Sequence, residues 1–188
     1  SFRIINPERR RTPGVHDETT IQERCRWPHW RDRLCSADEA AALITDGMTV
    51  GMSGFTRAGE AKAVPLALAE RAARTPLSIT LMTGASLGND LDQRLTEAKV
   101  LSRRMPFQVD TTLRRAINAG EVMFIDQHLS ETVELLRNRQ LADLDVAVVE
   151  ACAITEEGGI VPTNSVGNSA SYAILADKVI IELNLDSP

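Results

Sequence analysis

Histidine, cysteine and lysine are all scarce in this sequence, and each shortage removes a class of chemistry. Three histidines, His16, His29 and His128, are scattered through 188 residues, and none stands at ligand spacing to another, so no metal site is expected. The three cysteines, Cys25, Cys35 and Cys152, are odd in number and form no CxxC pair, which reads as reduced thiols in a cytoplasmic protein. Lysine occurs only at Lys62, Lys99 and Lys178, none of them inside a glycine-rich loop. The formal net charge of −5 leaves no basic footprint for a phosphate backbone, so nucleic acid is excluded as a partner. No apolar run reaches the roughly 18 residues of a membrane span. The polar opening residues lack the apolar stretch of a signal peptide, and none is expected. The acids Glu8, Asp17, Glu18, Glu23 and Asp32 argue against an organelle-import segment as well.

What is present has the rhythm of alternating strands and helices. Residues 1–34 carry Pro7, Pro13, Pro28 and the run Arg9-Arg10-Arg11 without sustained periodicity, and read as a partly ordered arm whose Trp27 and Trp30 cover an apolar patch. Residues 35–188 read as one α/β domain. Ser36-Ala37-Asp38-Glu39 is a capping-box pattern that starts a helix through Ile44, and Gly47 ends it. Strands are expected at Met48–Met52, Leu77–Met82, Glu121–Ile125, from Val146 to Glu150, and at Lys178–Glu182. Helices are expected from Pro65 to Arg74, near Leu91 to Ala98, and at Asp110–Asn118, Glu131–Asn138 and Ser169–Ala176. This order implies βαβ units and an open, mostly parallel sheet with helices on both faces.

Three of the strands run into loops rich in small residues: Ser53-Gly54-Phe55-Thr56-Arg57-Ala58-Gly59, Thr83-Gly84-Ala85-Ser86-Leu87-Gly88, and the segment after Glu150 that contains Ser165-Val166-Gly167-Asn168. Open α/β sheets build their sites at such strand ends, and glycine lets a ligand approach the main chain closely. The first loop lacks both the GK[ST] ending of a P-loop and the GxGxxG spacing of a dinucleotide fingerprint, so it is either a cleft wall or a plain turn. Ser86 offers a hydroxyl donor or, on a plainer reading, caps the helix after Gly88. Asn168 precedes a helix, where it either caps it or joins an anion site. Glu150 reads as a buried carboxylate at a strand end, tied to backbone donors.

The wording of GGIVPTNSVGN (Gly158 to Asn168), with DGMTVGMSGFT (Asp46 to Thr56), LMTGAS (Leu81 to Ser86) and INAGE (Ile117 to Glu121), resembles the amino-terminal half of the acetyl-CoA hydrolase/transferase family. The similarity runs from about Ser36 to the end of the chain, and family members are much longer. The resemblance implies a CoA-transferase-type domain of the NagB/RpiA-like kind. It also implies an enzyme that moves CoA between a small acyl-CoA and a carboxylate, or water, through an acyl-glutamyl anhydride and a glutamyl-CoA thioester. The attacking glutamate of the family belongs to the carboxyl-terminal half, so no catalytic residue is expected in this chain and the chain alone is expected to be inactive. Ser86, with Thr83 and Gly84, is implied in the acyl or carboxylate pocket. Ser53, Gly54 and Phe55 are implied in the cleft wall, with Gly167 and Asn168 at the same edge.

In RMPFQVD, Val109 stands where acetate-using relatives resemble one another in having a threonine. Losing that hydroxyl implies an acyl preference other than acetate, or a less discriminating pocket. Coenzyme A and acyl-CoA enter as substrates, with no covalently bound cofactor and no metal. The implied partners are a small carboxylate, the protein's own carboxyl-terminal domain and, as in the relatives, a second copy in a homodimer. Two rival readings are a stand-alone acyl-CoA or sugar-phosphate binding or regulatory domain of the same architecture, and a sugar-phosphate isomerase, which the few lysines disfavour.

Overall fold

The run Val146 to Val149 is apolar at every position because both faces of its strand are covered. Val146 and Val148 join one buried cluster with Val50, Met52, Leu68, Ile79 and Leu81, while Ala147 and Val149 join another with Ile4, Trp30, Met82 and Tyr172. Ile180 and Ile181 divide between the two clusters in the same way. Successive side chains of a strand point to opposite faces, so a sheet sandwiched by helices needs apolar residues at both parities.

The structure, a computed structural model, describes residues 2–5 and 18–187. In chain order the described elements are β1 (Phe2–Ile5), α1 (Glu18–Arg24), β2 (Leu34–Cys35), α2 (Ala37–Ala41), β3 (Thr49–Met52), α3 (Ala63–Arg74), β4 (Ile79–Thr83) and α4 (Leu91–Glu97). After these come β5 (Leu101–Met105), α5 (Thr111–Asn118), β6 (Met123–Phe124), α6 (Leu129–Arg137), β7 (Val146–Ile154), β8 (Ile160–Pro162), α7 (Ser169–Leu175) and β9 (Lys178–Leu183). The sheet runs β2-β1-β9-β7-β3-β4-β5-β6, with β8 paired to the far end of β7. Every pairing is parallel except β7 with β8. An open α/β fold with helices on both faces is therefore the observed architecture.

Local signals explain several boundaries. At α2 the Ser36 hydroxyl accepts from the Glu39 N–H at 3.2 Å and the Glu39 carboxylate accepts from the Ser36 N–H at 2.7 Å, a complete capping box. At α5 the Asp110 carboxylate accepts from the Leu113 N–H at 2.8 Å. The start of α3 has no cap of its own, and a distant residue supplies one. The Glu182 carboxylate accepts from the N–H groups of Lys62, Ala63 and Val64 at 2.6, 2.8 and 3.2 Å. Burial pushes the Glu182 carboxyl up, against the pull of those three donors.

Several expectations differ from what folds. The segment read as an arm contains β1, which lies between β9 and β2 with Ile4 opposite Ile181 and Leu34. Four residues are too few to show a period, and the strand is stabilised by its neighbours. The Phe2 ring packs on Trp27 with centroids 4.7 Å apart, and Trp30 is buried. Residues 6–17, where the arginine run of the arm falls, lie outside the described residues. Strand β5 sits where the period is poor, because LSRRM buries an arginine, Arg104, where an apolar residue is expected. Strand β7 continues past Glu150 to Ile154 because Gly158 and Gly159 turn the chain back as β8. The Glu121–Ile125 strand shortens to Met123–Phe124 at the sheet edge, with β5 as its sole neighbour in the sheet order.

Candidate functional site

From β3 the chain steps outward through β4, β5 and β6, then returns to β7 on the other side of β3. That reversal is the topological switch point of an open sheet, where a crevice opens beyond the carboxyl ends of the strands. Because β3, β4, β5 and β9 are mutually parallel, directly or through shared neighbours, the loops after them leave at this one edge.

The loop after β3 is fastened at its root. Ser53 is buried; its N–H donates to the Val148 carbonyl at 2.8 Å, and its hydroxyl donates to the Gly59 carbonyl at 2.8 Å and accepts from the Glu150 N–H at 2.9 Å. Phe55 and Ala58 exchange N–H to carbonyl hydrogen bonds of 2.9 and 3.1 Å around Thr56 and Arg57, whose φ values are 46° and 71°. Two non-glycine residues at positive φ form a tight two-residue turn that carries backbone strain, as ligand clamps often do. Phe55 is 41% exposed on this turn.

Three glycines from three loops then meet. A Cβ placed on Gly84 would lie 2.1 Å from the Gly54 carbonyl oxygen and 3.7 Å from the Asn168 nitrogen. One placed on Gly167 would lie 3.3 Å from that same oxygen, 3.6 Å from the Gly84 Cα and 3.6 Å from the Phe55 Cβ. Beneath them the Tyr172 ring lies against Gly51, where a Cβ would be 2.8 Å from its Cγ, and the Tyr172 hydroxyl donates to the Thr83 carbonyl at 2.8 Å. Burial pushes the phenol up to about 12.

Ser86, on the same loop as Gly84, is 3% exposed, and no hydrogen-bond partner of its hydroxyl is found among the described residues. It does not cap α4, whose N-cap is Asp90. The backbone around Ser86 is held from below. The Ala85 carbonyl accepts from the Thr83 hydroxyl and, at 3.0 Å, from Arg104 Nη2. The Leu87 N–H donates to Asp92 Oδ2 at 3.0 Å. Arg104 and Asp92 are themselves paired as a fork, Nε to Oδ1 at 3.1 Å and Nη2 to Oδ2 at 3.2 Å, and both are buried.

On the β7 and β9 side lies a cavity of about 300 Å³ lined by polar residues, among them Arg57, Glu60, Lys62, Glu150, Thr163 and Asn184. Lys62 Nζ reaches Glu150 Oε2 at 2.8 Å, and Asn184 Nδ2 donates to Glu150 Oε1 at 2.5 Å. Glu60, also buried, accepts from Asn89 Nδ2 at 2.5 Å. Among the described residues no group of three or more His, Cys, Asp or Glu is placed to hold a metal ion, and no helix is long and apolar enough to cross a membrane.

Of the residues singled out from sequence, Gly54, Phe55, Gly84, Gly167 and Asn168 come together directly, with Thr83 and Ser86 on the same loop as Gly84. Val109 is 41% exposed and lines a small hollow of about 70 Å³ with Arg57, Leu87 and Gly88. Ser53 lies under the site with its hydroxyl occupied by the fold. Two expectations are corrected. Asn168 stands at the N-cap of α7 but makes no capping bond, because its amide donates to the Leu129 carbonyl at 3.4 Å. Glu150 lies within its strand and its carboxylate is held by the side chains of Lys62 and Asn184, not by backbone donors. Sequence reasoning missed Arg104, Asp92, Tyr172 and Glu60, and the signal available for Arg104 was a strand-length segment interrupted by charge.

Comparison with known proteins shows the family and the fold. The family model described as "Acetyl-CoA hydrolase/transferase N-terminal domain" matches residues 19–188. The chain is 39% identical over 160 residues to the succinyl-CoA:acetate CoA-transferase of Clostridium kluyveri, covering 84% of this chain and 30% of that protein. It is 43% identical over 154 residues to the propanoyl-CoA:succinate CoA transferase of Escherichia coli, covering 79% and 31%. The chain thus spans less than a third of the length of either relative. Among solved structures, glutaconate coenzyme A-transferase from Acidaminococcus fermentans superposes with a TM-score of 0.61 at 14% identity, over 80% of this chain and 67% of that one, a likeness of fold.

Proposed function

Since the chain belongs to the acetyl-CoA hydrolase/transferase family as its N-terminal domain, we propose that it forms the amino-terminal part of a longer enzyme that moves CoA between a small acyl-CoA and a carboxylate, or to water. The observation that carries this reading is the meeting of Gly54, Gly84 and Gly167, with Ser86, a buried residue for whose hydroxyl no partner is found among the described residues, two positions after Gly84 on the same loop. Small residues let the acyl portion of a thioester approach the main chain, and a hydroxyl donor orients a carboxylate oxygen for reaction.

In this reading Ser86 donates to the carboxylate, Phe55 and Val109 provide apolar wall, and the backbone of Gly54, Gly84 and Gly167 sets the depth of the cleft. A glutamate from the remainder of the protein attacks the acyl-CoA carbonyl to give an acyl-glutamyl anhydride and CoA thiolate. The thiolate then attacks the glutamyl carbonyl, forming the glutamyl-CoA thioester and releasing the carboxylate. Splitting one difficult transfer into two easier steps is the gain from the covalent route. The protein acts in the cytoplasm as a homodimer, with this domain packed against its own carboxyl-terminal half.

A hydrogen bond to a charged group contributes about 1.5–3 kcal/mol, so Ser86→Ala in the longer enzyme raises the carboxylate KM by about tenfold or more. The chain of 188 residues by itself transfers no CoA. Measurable transfer by the isolated chain, or a Ser86→Ala enzyme with unaltered carboxylate kinetics, overturns the assignment.

A further inference from the structure

Resting on the reading of Ser86 as the carboxylate donor, we infer that the buried Arg104–Asp92 pair is a positioning device for that hydroxyl, gripping the backbone on each side of Ser86. The pair holds the residue before it through the Ala85 carbonyl, which accepts from Arg104 Nη2 at 3.0 Å. It holds the residue after it through the Leu87 N–H, which donates to Asp92 Oδ2 at 3.0 Å. Ser86 itself makes no hydrogen bond with the described residues, so its place depends on those two neighbours.

The energetics of burial favour a role of this kind. Arg104 is 0% exposed and Asp92 1% exposed. Two charges withdrawn from water repay their desolvation only with good geometry and fully satisfied hydrogen bonds, and apolar replacements are often as stable. Here the satisfied bonds are directed at the loop. Besides the fork to Asp92 at 3.1 and 3.2 Å, Arg104 donates to the Met105 carbonyl at 2.8 Å and to Ala85, while Asp92 accepts from Leu87. Arg104 comes from β5 and Asp92 from the first turn of α4, so two elements outside the loop direct its path. A planar guanidinium is required, because a lysine ammonium keeps the charge but cannot bridge Asp92 and Ala85 in one fixed geometry.

The experiment is a cycle in the longer enzyme, measuring KM and kcat for carboxylate and for acyl-CoA separately. The combined replacement Arg104→Met with Asp92→Leu removes the grip without leaving a buried charge unpaired. It raises the carboxylate KM about tenfold and leaves the acyl-CoA KM within about twofold. Introduced into the Ser86→Ala enzyme, the same replacement changes the carboxylate KM by less than about twofold, because the group it positioned is gone. Arg104→Lys does not restore the wild-type value.

If the combined replacement loses the fold, the neutral polar pair Arg104→Gln with Asp92→Asn, which likewise leaves no buried charge unpaired, is measured instead and gives the same carboxylate-specific pattern. Equal effects with and without Ser86, rescue by Arg104→Lys, or loss of folding by both variants assigns the pair to stability and overturns the inference while Ser86 keeps its role. A Ser86→Ala enzyme with unchanged carboxylate KM removes the underlying reading and this inference with it.

Discussion

Gly84→Ala tests the convergence of the loops most directly. The added Cβ would stand 2.1 Å from the Gly54 carbonyl oxygen and 3.3 Å from its carbon. Real Cβ contacts essentially never fall under 3.0 Å, so the two loops must part by roughly 1 Å. Neither partner yields easily. Gly54 belongs to a loop whose root is fixed by the three hydrogen bonds of Ser53, and Thr83 is fixed by Tyr172 from below. Forcing a methyl group into such a contact costs about 1–3 kcal/mol. A displacement of about 1 Å among groups that position a substrate costs up to about 100-fold in rate.

Urea denaturation of the chain reads the first quantity, and kcat/KM of the longer enzyme reads the second. Gly120→Ala is the control, since nothing lies within 4 Å of its Cβ position and its cost comes from the positive φ of 77° alone. Gly84→Ala leaving both stability and kcat/KM unchanged would show that the β3 and β4 loops do not meet as described, and the site would fall with it.

Two further outcomes follow from the same geometry. Tyr172 is the only tyrosine, so its ultraviolet phenolate signal is unambiguous. Its folded value is pushed up to about 12 from an ordinary value near 10, so the contribution is fully present below pH 10 and is lost as pH rises from 10 toward 12. Phenolate formation midway near pH 10 with the fold intact refutes the burial and its hydrogen bond to Thr83. Val109→Thr introduces a hydroxyl at a site 41% exposed beside Leu87 and Arg57, and is expected to shift the acyl-CoA donor preference of the longer enzyme toward acetyl-CoA. An acyl-donor panel with the same ranking before and after the substitution discards that role.

Much of this molecule is written locally. The capping box at Ser36, the apolar strands Val146–Val149 and Lys178–Leu183, and the small-residue loops after β3 and β4 each depend on neighbours a few positions away. Short-range sterics and alternation of side chains are enough to place them, and the family wording of GGIVPTNSVGN pointed to the same edge. Other features depend on residues far apart in the chain. That β1 is a strand follows from its pairing with β9, and that α3 is capped follows from Glu182, more than a hundred residues away. Arg104 fills the place of an apolar residue because Asp92, Ala85 and Met105 satisfy its donors there. Periodicity carries no record of such pairings, since each residue alone looks like a surface charge. The succession of the central strands β3, β4, β7 and β9 with their helices, and the candidate loops, were therefore determined by sequence, whereas the strands β1 and β5, the meeting of three glycines and the buried fork beneath Ser86 were decided by tertiary packing, in which partners are chosen by distance in space.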